Sequence, residues 1–471
     1  NDHIAFGFTN AGRDVKDYYN IKFRDFSKKE YWFDSAWVPT QMRVEEIKVK
    51  GGKTILDSVA YTVFGPVMYD HDFTVDSTNN NAIAVRWSAH DPSNEPAMWL
   101  KLNKARNYDD YLEAIKHFTV PAQNMLFASK SGEIAIWQQG RFPARWQGQG
   151  LMVMPGEDSS YMWQGFIPQQ ENPHVINPAS GYIQSANQRP VDSTYPYFIP
   201  GHYIESRGIA VENALASMQQ ITPQDMMALQ NSYYNPTAAD AVPLFLKYLN
   251  VNDLTDNEQK HLNEIKNWDF NATPGSKAQT IYQLWFDSLE TLVWRDEFDR
   301  VPNAKIYPDE QTLLEALLRD SSFRFVDNIN TPDSESLDKQ VTLAFKNAIQ
   351  GLGDDEGKWS WASFKNPTIY HLLRNSVMPF ARTALPVGGW SNTINAMKVT
   401  HGPSWRMIIH LTDPVEAYGI YPGGQSGMPG SRFYDNFIDD WAAGKYYRLW
   451  VMKPGEEKDK RIIGTMTFSK S

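Results

Sequence analysis

Gly181-Tyr182-Ile183-Gln184-Ser185-Ala186-Asn187-Gln188-Arg189-Pro190 alternates Tyr182, Gln184 and Ala186 with Ile183 and Ser185 before it meets Asn-Gln-Arg-Pro. The alternation predicts a strand, and proline, which cannot donate to a sheet ladder, predicts that the strand stops near Arg189. Asn187 is then expected at a strand mouth, facing a cleft on a rigid scaffold. An uncharged amide there can donate to a developing oxyanion without itself titrating. The same residue could instead make only an Asx-type turn, so the rest of the chain has to decide.

Upstream of this stretch the patterns are those of sheets. Ile4 to Thr9 reads as a short apolar strand followed by the turn Asn10-Ala11-Gly12-Arg13. Arg43 to Lys50 and Lys53 to Thr62 flank the diglycine Gly51-Gly52, a hairpin signal. Asn81 to Trp87 reads as a strand. Asn124 to Ala128 and Glu133 to Trp137 form a second hairpin, apolar enough to be buried on both sides, and Leu151 to Pro155 adds a short strand. One amphipathic helix interrupts them, with Tyr111, Leu112, Ile115 and Phe118 at helical spacing. Downstream the character changes. Thr222-Pro223-Gln224-Asp225 is a helix start with a hydroxyl cap and proline at the first helical position. Helical patterns follow at 242 to 250, 256 to 267, 278 to 300, 310 to 319 and 338 to 351. Strands return at Trp405 to Leu411, Tyr447 to Met452 and Arg461 to Thr467, with a helix-like run around Tyr434 to Trp441. The expected organisation is therefore an α+β chain. Residues 1–205 and 385–471 form a discontinuous sheet core, and residues 206–384 form a mostly helical subdomain.

Composition narrows the function. The chain has 471 residues, 42% hydrophobic and 13% aromatic, with 16 Trp, so it can bury a large core. Its net charge is −10 and its basic residues are scattered, which disfavours nucleic acid as a partner. Cysteine is absent, which excludes disulfides, thiolate metal sites and a cysteine nucleophile, and accords with a periplasmic or secreted location. No run of about 18 apolar residues predicts a spanning helix. The sequence opens at Asn1 with no initiator Met, so a processed product or a fragment is expected.

Common catalytic signatures are missing. No His-Glu-x-x-His, Gly-x-Ser-x-Gly or phosphate-cradling Gly-x-x-x-x-Gly-Lys occurs. Ser336-Leu337-Asp338-Lys339 matches Ser-x-x-Lys, but it follows a Pro-Asp-Ser-Glu loop and opens a helix, where serine ordinarily caps. Asp14 and Asp17, three apart on a loop with a backbone carbonyl between them, could supply hard oxygen ligands to Ca²⁺ or could simply be solvated acids.

Several segments taken together resemble the penicillin acylase family of N-terminal nucleophile hydrolases. Ile4-Ala5-Phe6-Gly7-Phe8-Thr9-Asn10 with Asp14-x-x-Asp17 is similar to the family's Ile-Ala-Trp-Gly-x-Thr block and its calcium acids. Asn124-x-x-x-Ala128 with Gly132-x-Ile134 resembles the hairpin that lines the acyl pocket. Asn187-Gln188-Arg189-Pro190 resembles the oxyanion block, with Arg207 where the family has a downstream arginine. Gly402-Pro403-Ser404-Trp405-Arg406 and Pro422-Gly423-Gly424-Gln425-Ser426-Gly427 complete the series in family order.

The resemblance implies an αββα layered sandwich with antiparallel sheets. It also implies an amidohydrolase that cleaves N-acyl compounds through an acyl-enzyme on an N-terminal serine, exposed by autocatalytic processing and lying upstream of the block in which this sequence opens. By carry-over, Asn187 is the side-chain oxyanion donor, Asn10 a backbone donor, and Arg207 belongs to the same machinery. Gln123 and Met125 fall in the substrate hairpin, Asp14 and Asp17 at a structural Ca²⁺ site, and a cleaved α-chain of the same precursor is the implied partner. Polar Gln123 argues against a purely aromatic acyl pocket, so acyl-homoserine lactones, β-lactams and other N-acyl compounds stay open. Asn187→Ala is expected to spare folding and abolish turnover. The alternative is a family-shaped binding protein without catalysis, its aromatic cleft holding a sugar or peptide.

Overall fold

The structure, a computed structural model, describes residues 1–70, 82–301 and 307–470. By contact they divide into two units, 1–208 with 411–414, and 209–410 with 415–471.

The first unit begins with β1 (Ile4–Asn10), β2 (Lys16–Ile21), the small hairpin β3 (Glu30–Phe33) and β4 (Ala36–Pro39), then β5 (Gln41–Ile47), β6 (Ile55–Thr62), β7 (Gly65–Tyr69) and β8 (Ala82–Trp87). Asn81, the first residue of the expected strand, lies outside the described residues. Two helices follow, α1 (Glu95–Leu102) and α2 (Tyr108–Ile115), then the hairpin β9 (Gln123–Ser129) and β10 (Ile134–Gln139), β11 (Met154–Pro155) and β12 (His174–Ile176). One sheet has the order β1-β9-β10-β12, antiparallel throughout; another has the order β11-β2-β8-β7-β6-β5. One face of the first sheet presents Ile4, Met125, Phe127, Ala135 and Trp137 to Met98 and Leu102 of α1 and to Tyr111, Ala114 and Ile115 of α2. α2 is fixed at its start by Asn107, which accepts from Asp110 N–H at 2.9 Å, and tied to β9 by the Tyr111 hydroxyl, which donates to the Met125 carbonyl at 2.8 Å.

The stretch from Gly181 to Pro190 is not a strand. It is irregular and bends at Ala186 and Asn187, the latter with a φ of +72°, a left-handed conformation that asparagine tolerates better than most residues. A residue there cannot continue a pleated ladder, and the Gln188 side chain supplies a local acceptor to Ala186 N–H at 2.7 Å instead. Tyr182 to Ser185 are all half-buried, so the alternation in the sequence has no counterpart in burial or in sheet pairing.

The second unit is built on helices. α3 (Glu205–Ser217) starts in the first unit and runs into this one; α4 (Pro223–Gln230), α5 (Pro236–Tyr248), α6 (Asp256–Lys266), α7 (Lys277–Phe298), α8 (Glu310–Arg319), α9 (Leu337–Leu352), α10 (Trp361–Lys365) and α11 (Ile438–Ala442) follow, with β13 (Arg406–His410), β14 (Glu416–Ile420) and β15 (Tyr447–Leu449). Trp285 of α7 is fully buried, its ring 4.7 Å from that of Phe345 on α9. The expected hydroxyl cap of α4 is present and is reciprocated: Thr222 accepts from Asp225 N–H at 3.3 Å and Asp225 accepts from Thr222 N–H at 2.8 Å. Arg461 to Thr467, expected as a strand, is not one, and the run around Tyr434 contributes only the short α11. The contact division also differs from the expected grouping. β13, β14 and β15 hydrogen-bond only to one another among the described strands and fall with the helices rather than with residues 1–205.

Candidate active site

β1 is the edge strand of its sheet among the described residues. Just past its end, Ala11 N–H donates to the Ala122 carbonyl at 3.2 Å. Antiparallel ladders alternate, so the peptide groups of the preceding residue, Asn10, point away from β9. The Asn10 carbonyl on that outward side accepts the Asn187 side-chain Nδ2 at 2.8 Å and the Asn124 Nδ2 at 3.3 Å. The Asn10 N–H shares the same side. A backbone donor and a side-chain amide are thereby brought to one spot from positions 177 residues apart.

Arg207 in the first turn of α3 fixes which way the Asn187 amide points. Its Nη2 donates to Asn187 Oδ1 at 2.7 Å, so Oδ1 faces the guanidinium and the NH₂ group faces Asn10. Burial lowers the Arg207 pKa from its ordinary value, and its Nε meets no acceptor among the described residues. The charge is therefore directed chiefly at the amide oxygen. A charge-assisted hydrogen bond to a carbonyl draws density from the attached nitrogen and makes its N–H a stronger donor.

A polar cluster supports this arrangement from the sheet face opposite the helices. Asn124 Nδ2 also donates to Thr9 Oγ1 and to Ser185 Oγ, each at 3.1 Å, and the two hydroxyls are hydrogen-bonded to each other. Asn124, Gln184, Ser185, Gln188 and Arg189 line a cavity of about 160 Å³. Sequence reading left Thr9 and Ser185 out of the site and gave Asn124 no role of its own. Strand parity was the available signal: Thr9 and Asn124 are register partners, and residues that face each other across a ladder share a face.

The two residues expected to contact substrate lie two apart on β9, share the face opposite Asn124 and differ in how deeply they are covered. Gln123 stands opposite Asn10 and donates from Nε2 to Asn10 Oδ1 at 3.1 Å, so it clamps the side chain of the backbone donor. Met125 is 0% exposed and packs in the core beneath α1 and α2. Its expected place in a substrate pocket is corrected by that burial: a side chain fully enclosed by the core has no surface left to offer a substrate.

Asp14 and Asp17 do not fit a calcium site. Asp17 receives Arg145 Nε at 3.1 Å and Arg145 Nη2 at 2.9 Å, and the Trp163 indole N–H as well. Asp14 Oδ1 accepts Lys16 N–H at 3.0 Å; burial raises the Asp14 pKa, and the Lys16 N–H and nearby Arg145 oppose the rise. No cluster of three or more metal-ligating side chains is present among the described residues.

A model of the penicillin amidase family matches residues 1–458. The chain belongs to that family. It is 25% identical to the acyl-homoserine lactone acylase QuiP of Pseudomonas syringae pv. tomato over 97% of this chain and 60% of that protein. It is 22% identical to the penicillin acylase 2 proenzyme of a Pseudomonas species, over 94% of this chain and 58% of the proenzyme. This member of the penicillin amidase family thus spans about 60% of the length of these two relatives. Its fold is that of the penicillin G acylase from Alcaligenes faecalis, with a TM-score of 0.71 at 19% identity, covering 100% of this chain and 89% of the other. The α+β class with antiparallel sheets holds. No helix among the described residues is long and apolar enough to cross a membrane.

Proposed function

We propose that the protein hydrolyses the amide bond of N-acyl compounds and that Asn10 and Asn187 hold the oxyanion of that reaction. The observation that supports this most directly is the Asn187 amide fixed between the Arg207 guanidinium and the Asn10 peptide. Attack of a serine hydroxyl on the substrate carbonyl puts negative charge on its oxygen, where the Asn10 N–H and an Asn187 N–H donate. Collapse expels the amine, and water then cleaves the acyl ester. In this reading the serine is the N-terminal residue of a chain released by autocatalytic cleavage, and the partner is the α-chain of the same precursor. A periplasmic or secreted location suits a chain without cysteine.

The relatives named as acyl-homoserine lactone and penicillin acylases make those two substrate classes the first to try. The test is amine release by the complete gene product from N-acyl-homoserine lactones of graded chain length and from phenylacetyl and fatty-acyl penicillins. Catalytic release from at least one class is expected. No release from any of them, with saturable binding of a sugar or peptide instead, would establish the non-catalytic alternative.

A further inference from the structure

Family resemblance implies Ca²⁺ at Asp14 and Asp17, yet the space between those acids is taken by a cation that belongs to the chain. Arg145 forks onto both oxygens of Asp17 at 2.9 and 3.1 Å, and its Nη1 donates to the Asp14 backbone carbonyl at 2.9 Å. Its Nη2 also lies 4.0 Å from Asp14 Oδ1. One guanidinium therefore contacts a carboxylate bidentately, a carbonyl directly and a second carboxylate at longer range, with donor geometry that suits a planar fork. Arg145 and Asp17 side chains are 1% and 0% exposed. Over them lies Gly150 at φ +85°; a Cβ there would stand 2.3 Å from Asp17 Oδ1, so the roof closes on the carboxylate only because it is glycine. Ca²⁺ needs six to eight oxygen ligands, and Asp17 has both oxygens engaged.

We infer that Arg145 is a built-in replacement for the structural calcium, so that the loop from Asn10 to β2 is held by an internal ion pair and is indifferent to divalent cations. The loop matters because Asp14 is four residues beyond Asn10, and its N–H is tied to the Pro200 carbonyl at 3.0 Å. A pair this buried is strongly destabilising to break from one side, because the remaining carboxylate is left without compensation.

Thermal unfolding of the complete protein tests the inference without reference to its activity. Wild-type Tm is expected to be the same in EDTA, in millimolar Ca²⁺ and in millimolar Mg²⁺. Arg145→Ala is expected to melt several degrees lower in EDTA and to regain part of that loss in Ca²⁺, since the two acids and the carbonyl then face a vacated position. A wild-type Tm that falls in EDTA or rises in Ca²⁺ would overturn the inference. So would an Arg145→Ala protein that melts like wild type or ignores Ca²⁺. Should Arg145→Ala fail to fold, Arg145→Lys keeps the charge without the fork. It is expected to melt below wild type, and an unchanged Tm there would count against the inference equally.

Discussion

Asn187 works by donating, and its neighbours make that claim separable from folding. Asn187→Asp retains an acceptor for Arg207 Nη2 and gives the guanidinium a counter-charge, so the fold should persist. The carboxylate has no N–H, however, and would face the Asn10 carbonyl. We expect kcat to fall by about 100-fold or more with little change in KM; activity retained in Asn187→Asp would remove the side-chain donor from the mechanism. The left-handed φ alters what other substitutions report. Ala there adds roughly 1–2 kcal/mol of backbone strain, so Asn187→Ala confounds folding with catalysis, contrary to the expectation that it spares the fold, whereas glycine does not. At this scale the resemblance of short sequence blocks singled out Asn10, Asn187 and Arg207, and the structure brings the three together. The sequence did not carry the surroundings of Met125 and Asp17 or the turn at Asn187. Which face α1 and α2 cover, and that Arg145 meets Asp17 from 128 positions away, are tertiary facts with no local pattern.

Elements were legible where their ends are chemically marked. α6 begins at Asp256 behind the reciprocal Thr255 and Glu258 cap, and α8 runs Glu310–Arg319, as its periodicity predicts. Short strands without turn chemistry were less legible in extent, because pairing partners decide them: the expected Leu151 to Pro155 shrinks to the two-residue β11, and the expected Arg461 to Thr467 forms no strand. The α7 and α8 helices also set a pH response. Burial raises Glu290 and Glu310 from 4.5 to about 7, and Asp287 is raised as well. Glu310 accepts Tyr282 hydroxyl at 3.3 Å and Asn392 Nδ2 at 2.7 Å, and both contacts survive in a glutamine with a rotated hydroxyl. A carboxyl whose pKa rises on folding leaves the native state with more bound protons than the unfolded state between the two values. Its stabilisation is complete below the unfolded pKa and is lost as pH climbs through the folded one. Tm should therefore decline between about pH 5 and about pH 8, and Glu310→Gln should flatten part of that decline. An identical slope in wild type and variant would show that Glu310 is not raised.

For the whole molecule, the α+β class was legible from the order of patterns, sheet-rich before Arg207 and helix-rich after it, and the family from blocks spread along the chain. The contact grouping of the last strands was not, because hydropathy identifies a strand without naming the sheet it joins. The central claim is that one amide, held by Arg207 against the end of β1, stabilises the oxyanion of amide hydrolysis. The measurement that tests it most directly is kcat/KM for N-acyl amide hydrolysis by the complete gene product and its Asn187→Gly variant, with Tm followed in parallel. Glycine keeps the φ of +72° without strain. The account predicts a folded variant whose Tm falls only by the loss of the Arg207 hydrogen bond, and a loss of about 100- to 1,000-fold in kcat/KM, the usual consequence of deleting one oxyanion donor. A variant that folds like wild type and turns over like wild type would contradict it.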